Sequence, residues 1–416
     1  MRRTSMLLLM LGIIAAGCNA TPSAPAEETA IVRDSAGVRI VENSGPADAS
    51  RVPRLEAEPF VRIGSVDGAE QDLLHRVRHV IRLTGGVIVV ADGGTQQIRL
   101  FNESGAHLRS IGGQGDGPAE FQSISYMRRL AGDSVLIFDN RHRRITILAA
   151  DGTHARDYVP YASDGTPQMV MGALPDRTLL VYAPGGGDPA PHTLQFTRGT
   201  FRVAVQPPGG ELMPLRPYAS SDIQVEAGTP RPGVYSTRVM TVPYSRQAFT
   251  TTAGDRFVIG ANESYEAHFY DGTGSLATVV RSAHVPVRPV DDAALAEYVD
   301  ASVAAAERRA LDGGRQYDAA AARANYVVSP HAPSVPTYAG LLGAESGDLW
   351  VKEYAVDQWS ETPDTWDVFD ADGVFRHSIE LPIGFTPLYI DDEVVLGTFA
   401  DDLGVEYLHG YSLVSG

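Results

Sequence analysis

The chain of 416 residues holds one cysteine, Cys18, so no disulfide can close within it. It holds one lysine, Lys352, and nearly all of its basic residues are arginine, a bias that a GC-rich coding sequence leaves. Positive charge is scarce altogether: 34 Lys and Arg stand against 51 Asp and Glu, a formal net charge of −17. Nucleic-acid binding needs a basic stripe that neutralises phosphates, and so acidic a chain is poorly suited to it. The apolar stretch at residues 6–14 is interrupted by Gly12 and falls short of the ~20 residues a bilayer span requires. What remains is a globular mixture, 44% hydrophobic and 20% charged, too apolar for a disordered chain. The 42 glycines and 27 prolines imply many turns, and the length suits two or three modest domains or one large all-β or repeat domain.

The N-terminus is an address. Arg2 and Arg3 precede the apolar stretch, Ala15-Ala16-Gly17 supplies small residues, and Cys18 follows. This is a secretory signal over residues 1–17. With the cysteine at the cleavage point it resembles a bacterial lipobox, departing from the usual pattern at Ala15, where leucine is common. The resemblance implies lipidation of Cys18, with the lipid as the membrane anchor. Residues 18–30, rich in Ala, Pro, Ser, Thr and Glu, read as a flexible tether. Loss of Arg2 and Arg3 would leave 32 basic residues against 51 acidic ones. Asn19 after Cys18 gives no sign of inner-membrane retention, and the expected location is the envelope, at the outer membrane, on its periplasmic or surface face.

The body of the chain repeats. Val87-Ile88-Val89-Val90-Ala91-Asp92 is a buried-type strand, followed by the alternating Ile98-Arg99-Leu100-Phe101 and a turn ending at Gly105. The layout recurs at Val135-Leu136-Ile137-Phe138-Asp139, Ile145-Thr146-Ile147-Leu148 and Gly152, each 47 residues on. Further copies begin at Gly254-Asp255 and Gly347-Asp348, and weaker ones at Asp176 and Asp392. Units of ~40–50 residues built from short strands are the signature of propeller blades. A single four-stranded sheet cannot bury both faces alone, whereas sheets stacked in a ring bury one another. The expected fold is all-β, a six-bladed propeller of four-stranded blades over residues 31–416. Residues 31–33 and 38–41, hinged at Ser35-Ala36-Gly37, are expected to supply outer strands to the last blade.

The run Ile111-Gly112-Gly113-Gln114-Gly115-Asp116-Gly117-Pro118-Ala119-Glu120-Phe121, taken with Val90-Ala91-Asp92, Ile98-Arg99-Leu100-Phe101 and Gly105, resembles an NHL repeat. The wider pattern, including the opening Val32-Arg33-Asp34-Ser35-Ala36-Gly37-Val38, resembles the six-bladed β-propeller lipoproteins of bacterial envelopes. The resemblance implies a binding or scaffold role and no particular ligand.

One segment departs from strand patterning. Over residues 290–310, Leu295, Tyr298, Val299, Val303 and Ala306 fall at helical spacing, with Asp291 or Asp292 as cap and Gly313-Gly314 as stop. A second short helix fits residues 317–326. The whole excursion, about 290–328, is a helical insertion between the fourth and fifth blades, either a lid or partner surface or a packing element.

Signals of chemistry are few. There is no His-Glu-x-x-His, no Gly-x-Ser-x-Gly elbow, and the Gly-rich run at 112–117 lacks the Lys-Ser/Thr of a phosphate loop. That run reads as an interblade turn. His75 and His79 would lie ~13 Å apart on a strand, too far to share a metal. The basic cluster Asn140-Arg141-His142-Arg143-Arg144 reads as a hairpin tip or an anion site.

Position is the better guide. In a propeller the inner strands end around a channel mouth, where ligands sit. Aligned repeats end their second strand at Asp92, Asp139, Tyr182, Ala261, Tyr354 and Thr398, and on the preceding strand His79 and Tyr126 correspond. The expected ligand-binding mouth is therefore Asp92, Asp139, His79, Tyr126, Tyr182 and Tyr354, with Asp92 and Asp139 as holders of a divalent cation such as calcium. The competing reading makes both aspartates acceptors for backbone N–H groups of the turns. The functional expectation is a lipid-anchored, non-enzymatic binding or scaffold module with a protein or glycan ligand and no nucleic acid. The alternatives are a propeller hydrolase or lyase with a cation at the mouth, and a structural envelope protein without a small ligand.

Overall fold

The computed structural model describes residues 30–46, 53–183, 195–227, 237–327, 330–357, 362–401 and 404–414. The signal segment, Cys18 and nearly all of the tether lie outside them. The described chain is all-β with two helices, and most of its strands form four-stranded antiparallel sheets.

The first sheet takes Val77–Arg82, Ile88–Asp92, Gln97–Phe101 and His107–Gly112 in sequence order. The second repeats it at Ile124–Arg129, Val135–Asp139, Arg144–Leu148 and His154–Tyr158. The 47-residue spacing read from the sequence is thus the spacing of whole sheets. The reason lies in burial. Ile88–Asp92 and Val135–Asp139 are buried at every position, whereas the outer His107–Gly112 is mostly exposed. A strand apolar on both faces needs a neighbour on each, which the adjoining sheets provide.

The third sheet is Met169–Ala173, Leu179–Tyr182, Val203–Gln206 and Met213–Pro214. The fourth is built on Ala248–Ala253, Arg256–Ala261, Glu266–Tyr270 and Leu276–Ser282. The fifth is Gly340–Gly343, Leu349–Lys352, Thr365–Phe369 and Phe375–Glu380, and the sixth is built on Phe385–Ile390, Val394–Ala400 and Glu406–Val414. The first strands of these sheets contact one another in cyclic order, first to second and onward, with the sixth returning to the first. That closed ring makes the molecule a β-propeller. A separate three-stranded sheet, Gln195–Phe201, Tyr218–Ala227 and Thr237–Thr241, grows out of the third sheet and the link to the fourth.

Between the fourth and fifth sheets run helix α1 (Asp292–Asp312) and helix α2 (Ala319–Val327). Asp291 caps α1, its carboxylate accepting from the Ala294 amide at 2.9 Å, and Gly313 ends it. Ala294, Val299, Val303, Ala305 and Ala310 form the buried stripe, close to the periodicity of the sequence. The Gly-rich run after the first sheet is a turn. Gly112 has φ +85°, and a Cβ there would stand 2.6 Å from the Ala119 carbonyl, so the turn needs a residue without one. It folds back through Phe121 N–H to the Gly113 carbonyl at 2.9 Å, seating Phe121 in the core.

The N-terminal strands correct one expectation. Ala30–Ser35 and Val38–Asn43 do form a hairpin at Ala36-Gly37, but they extend the fourth sheet, not the last: Val38–Asn43 runs parallel to Leu276–Ser282. The sixth sheet is completed instead by Val61–Ile63 and Arg54–Leu55, both against Glu406–Val414. The fourth sheet can accept them because Val279 and Val280 on its outer strand pack with Ile40 and Val41, which are all buried. Asn43 then fastens the fifth sheet. Its Nδ2 donates to the carbonyls of Arg281 (3.1 Å) and Gly373 (3.0 Å), and its Oδ1 accepts from the Phe375 amide (2.8 Å).

Asn43→Ala leaves these buried backbone groups without partners and is expected to cost about 2–3 kcal/mol. Urea unfolding monitored by tryptophan fluorescence measures it, and a loss below about 0.5 kcal/mol would refute the fastening role.

Candidate functional site: the central channel

Each first strand has a sheet partner on one side only. Its other edge turns backbone N–H and C=O groups toward the axis of the ring, and such groups are costly when unpaired. Side chains from neighbouring first strands cover several of them. His79 Nε2 lies 2.9 Å from the Ser125 carbonyl. The Tyr126 hydroxyl accepts from the Ala173 amide at 3.0 Å. Thr251 Oγ1 accepts from the Gly343 amide at 3.0 Å, and the Tyr389 hydroxyl lies 3.4 Å from the Arg82 carbonyl and 3.2 Å from the Asp391 carboxylate.

Around the axis lies a cavity of about 320 Å³, lined by residues of all six first strands. Four of those strands carry a β-bulge, where two residues oppose one. Register jumps from Val77 to His79, from Ile124 to Tyr126, from Val170 to Gly172 and from Pro387 to Tyr389. The residues skipped are Arg78, Ser125, Met171 and Leu388, and all four line the cavity. A bulge re-aims a side chain that regular pleating would send to a sheet face. Arg78 and Ser125 are exposed although they sit on the innermost strands, because they face this space.

Charge in the lining is sparse. Arg128 is buried; its Nη1 donates to Glu345 Oε1 at 2.7 Å and its Nη2 to the Gly254 carbonyl at 2.9 Å. Burial pushes the Glu345 carboxyl up, with Arg128 opposing. Burial also pulls the His79 imidazole below its usual 6.5, and the positive charge of Arg78 adds to that. His79 is therefore neutral at pH 7. Its ring meets Tyr126 edge-on, centroids 5.5 Å apart.

The expected site residues divide. His79 and Tyr126 line the cavity. Asp92 and Asp139 do not; both are fully buried at the roots of hairpins. Asp92 accepts from the amides of His75 (3.2 Å), Gly94 (2.9 Å) and Thr95 (3.0 Å) and pairs with the buried Arg99 at 3.2 Å. Asp139 accepts from the amides of Gln122 (2.6 Å), Arg141 (2.9 Å) and His142 (3.1 Å), and lies 3.0 Å from His142 Nδ1. Burial raises the Asp139 carboxyl, but these amides outweigh it and hold it below the ordinary range. Both aspartates are thus engaged as turn acceptors. Among the described residues no group of three or more His, Cys, Asp or Glu side chains is arranged to hold a metal ion.

Tyr182 is an exposed hairpin residue beside Phe201, with centroids 6.2 Å apart. Tyr354 packs on Tyr244 under helix α1, and lines a small hollow of about 180 Å³ with Arg288 and Glu353. Neither lies in the channel lining. The basic cluster at 140–144 is a hairpin tip, where Arg144 donates to the Gly117 carbonyl (3.2 Å) and His142 Nε2 lies 2.8 Å from Asp116. Ser282, His284 and Asp367 form a hydrogen-bonded line, at 2.5 and 2.8 Å, that resembles a catalytic arrangement. His284 is stacked on Phe375 at 4.8 Å, Asp367 also accepts from Tyr265 and Ser378, and none of the three lines the channel, so the line braces the seam between the fourth and fifth sheets. Two larger hollows, about 730 and 820 Å³, open at the seam of the first and sixth sheets. Arg82 in the first of them is already paired with Asp391 and Glu393.

Arg78, Arg128, Glu345 and Thr251 were not singled out in the sequence. The register offset held one clue: Arg78 and Ser125 correspond at 47 residues, one position before the His79 and Tyr126 pair.

Asp92→Ala is expected to cost about 3–5 kcal/mol, since it strands the Arg99 charge and three amides. A chelator is expected to leave the wild-type melting midpoint unchanged; a chelator-sensitive midpoint restored by calcium would contradict this account of the aspartates.

A pH dependence follows from His79. The unfolded chain takes up its proton near 6.5, whereas the folded imidazole resists until lower pH, so the contribution is whole above that value and is lost as pH falls below it. His79→Gln keeps a donor to the Ser125 carbonyl and removes the titration. Its midpoint is expected to fall less steeply than that of the wild type between about pH 7 and 5, and identical slopes would refute the assignment.

No protein-family profile matches the chain, and no curated protein matches it. Solved structures are similar to it over most of its length. A putative exported protein from Bacteroides fragilis is 12% identical, with 91% of this chain and 99% of that one covered and a TM-score of 0.47. A member of the DUF4221 family from Bacteroides vulgatus is 10% identical, with coverages of 88% and 98% and a TM-score of 0.49. A gluconolactonase from Xanthomonas campestris is 13% identical, with coverages of 89% and 98% and a TM-score of 0.42.

Proposed function

We propose that this protein is a lipid-anchored, six-bladed β-propeller of the bacterial envelope that binds a small ligand in its central channel and does no chemistry on it. In this reading the first two blades are of the NHL type, and α1 and α2 are an insertion between the fourth and fifth blades. Cys18 carries the lipid and holds the propeller at the outer membrane, on its periplasmic or surface face. The N-terminal pattern of basic, apolar and small residues before Cys18 supports the anchoring.

The observation that carries the binding role is the set of four bulges that present Arg78, Ser125, Met171 and Leu388 to one cavity. Four first strands depart from regular pairing, each at the axis, and together they shape a lining. The groups that hydrolysis would draw on are committed elsewhere. The Glu345 carboxylate is held by Arg128, His79 faces the Ser125 carbonyl, and Asp92 and Asp139 tie down turns. This favours binding over catalysis.

A saturation-transfer NMR screen of small neutral and charged water-soluble fragments against the full chain tests the reading. Ser125→Trp, which fills the channel from an exposed position, is expected to abolish the signals of the bound fragments while the melting midpoint stays within a few degrees. The reading fails if no fragment binds, or if the same fragments bind the Ser125→Trp protein equally well.

A further inference from the structure

We propose that the channel ligand is a small organic anion, a hydroxyl-rich carboxylic acid whose carboxylate pairs with Arg78; this rests on the channel-binding reading above. Of the four bulged residues that line the cavity, Arg78 alone is charged. Its side chain lies across Gly93, where a Cβ would stand 2.7 Å from Arg78 Cγ and 3.0 Å from Nε. The glycine at the hairpin tip thus leaves the space that the arginine stem fills.

Charge accounting then isolates this group. The charged residues of the lining are Arg78, Arg128 and Glu345. Glu345 is taken by Arg128 at 2.7 Å. Among the described residues no carboxylate is paired with Arg78. A chain with net charge −17 therefore keeps one uncompensated guanidinium at its axis. A cleft lined by charge of one sign raises the local concentration of counter-ions, and a guanidinium meets a carboxylate with two parallel hydrogen bonds.

Arg128 adds a second observation. It is 6% exposed, it lines the same cavity, and its Nε is buried without a partner. Arg78 stands near the start of its strand and Arg128 near the end of the next one. At the rise of a strand they are ~10 Å apart along the axis. A guest anchored by its acid group at Arg78 thus meets, further along the axis, a wall that the buried Arg128–Glu345 pair holds in place.

The rest of the lining suits hydroxyl groups. Thr250 and Thr251 both line the cavity, and Thr251 Oγ1 accepts from the Gly343 amide, so its own O–H can still donate. Tyr126 and Tyr389 also line the cavity and add apolar ring atoms to its wall. A volume of about 320 Å³ lies in the range of small-molecule sites.

The test compares D-glucuronate with methyl β-D-glucoside, which offers similar hydroxyls without the charge, by calorimetric titration of the full chain. Glucuronate is expected to bind about tenfold more tightly, the factor that one charge-assisted hydrogen bond supplies. Arg78→Gln is expected to erase the preference, and Arg78→Lys to keep part of it. A second readout is the His79 ring titration by NMR. Its midpoint is expected to rise in Arg78→Gln, because a positive neighbour is gone, and to rise in the wild type when glucuronate binds. Equal affinity for the two sugars, or a preference that survives Arg78→Gln, overturns the anion assignment. Failure of both sugars to bind overturns it too. In each case fragments that depend on Ser125 still report separately on whether the channel binds at all.

Discussion

The unpaired edge of the first strand is the constraint on which the structure depends. A propeller blade can bury its two faces against its neighbours, but its innermost strand has no partner on the axial side. Six such edges meet here. If the axis were dry, their N–H and C=O groups would be stranded. If it were wide and wet, the seams between sheets would lose apolar contact. The protein meets the problem with side chains. His79, Tyr126, Thr251 and Tyr389 each reach across to the backbone of a neighbouring strand. Backbone bonds finish the seams, as where the Gly254 amide donates to the Ala344 carbonyl and the Glu345 amide to the Ile390 carbonyl, each at 2.9 Å. The same groups that close the ring therefore define the space inside it.

This explains which parts of the fold were legible in the sequence. Burial on both faces forces residues 88–91 and 135–138 to be continuously apolar, and a hairpin root puts an aspartate at the end of each strand. Those demands repeat with the sheets, so they appear as a 47-residue period. Helix α1 was legible for the same kind of reason, since its cap and stripe are local. The position of Val38–Asn43 was not. Its alternation specifies a half-buried strand, but its partner Leu276–Ser282 lies more than 200 residues away, and the outer strand of any blade would satisfy the pattern equally. The link from Arg128 to Glu345 is hidden likewise, being 217 residues long and unrepeated.

The candidate site shows the same division. His79 and Tyr126 correspond by period, and both prove to lie at the axis because edge-covering is a repeated need. Asp92 and Asp139 also correspond by period, and for that reason they serve what the blades share, the anchoring of a hairpin root. The bulges at the axis do not share a residue type. They hold arginine in the first sheet, serine in the second, methionine in the third and leucine in the sixth. Periodicity selects scaffold residues, and individual departures from it mark the lining.

Topology also decides where elaboration can go. In an antiparallel sheet entered on its inner strand, the second-to-third hairpin and the link to the next sheet leave from the same end. The three-stranded sheet and helices α1 and α2 all arise from those connections, so they gather at the end where Arg78 stands. The outgrowth is held firmly. Arg246 meets the fully buried Asp222 with two nitrogens, at 2.9 and 3.0 Å, and Arg198 bridges Asp222 to Glu263 on a hairpin of the fourth sheet. A carboxylate buried between two arginines costs much to desolvate and more to separate, so this pairing fixes orientation. The N-terminal hairpin sits elsewhere, as the outermost strands of the fourth sheet, with Asn43 stitching it to the fifth. Ala30, the first described residue, therefore enters the fold on the outermost strand of the fourth sheet. The chain thus enters the ring at an outer edge, while its elaborations gather around one end of the axis.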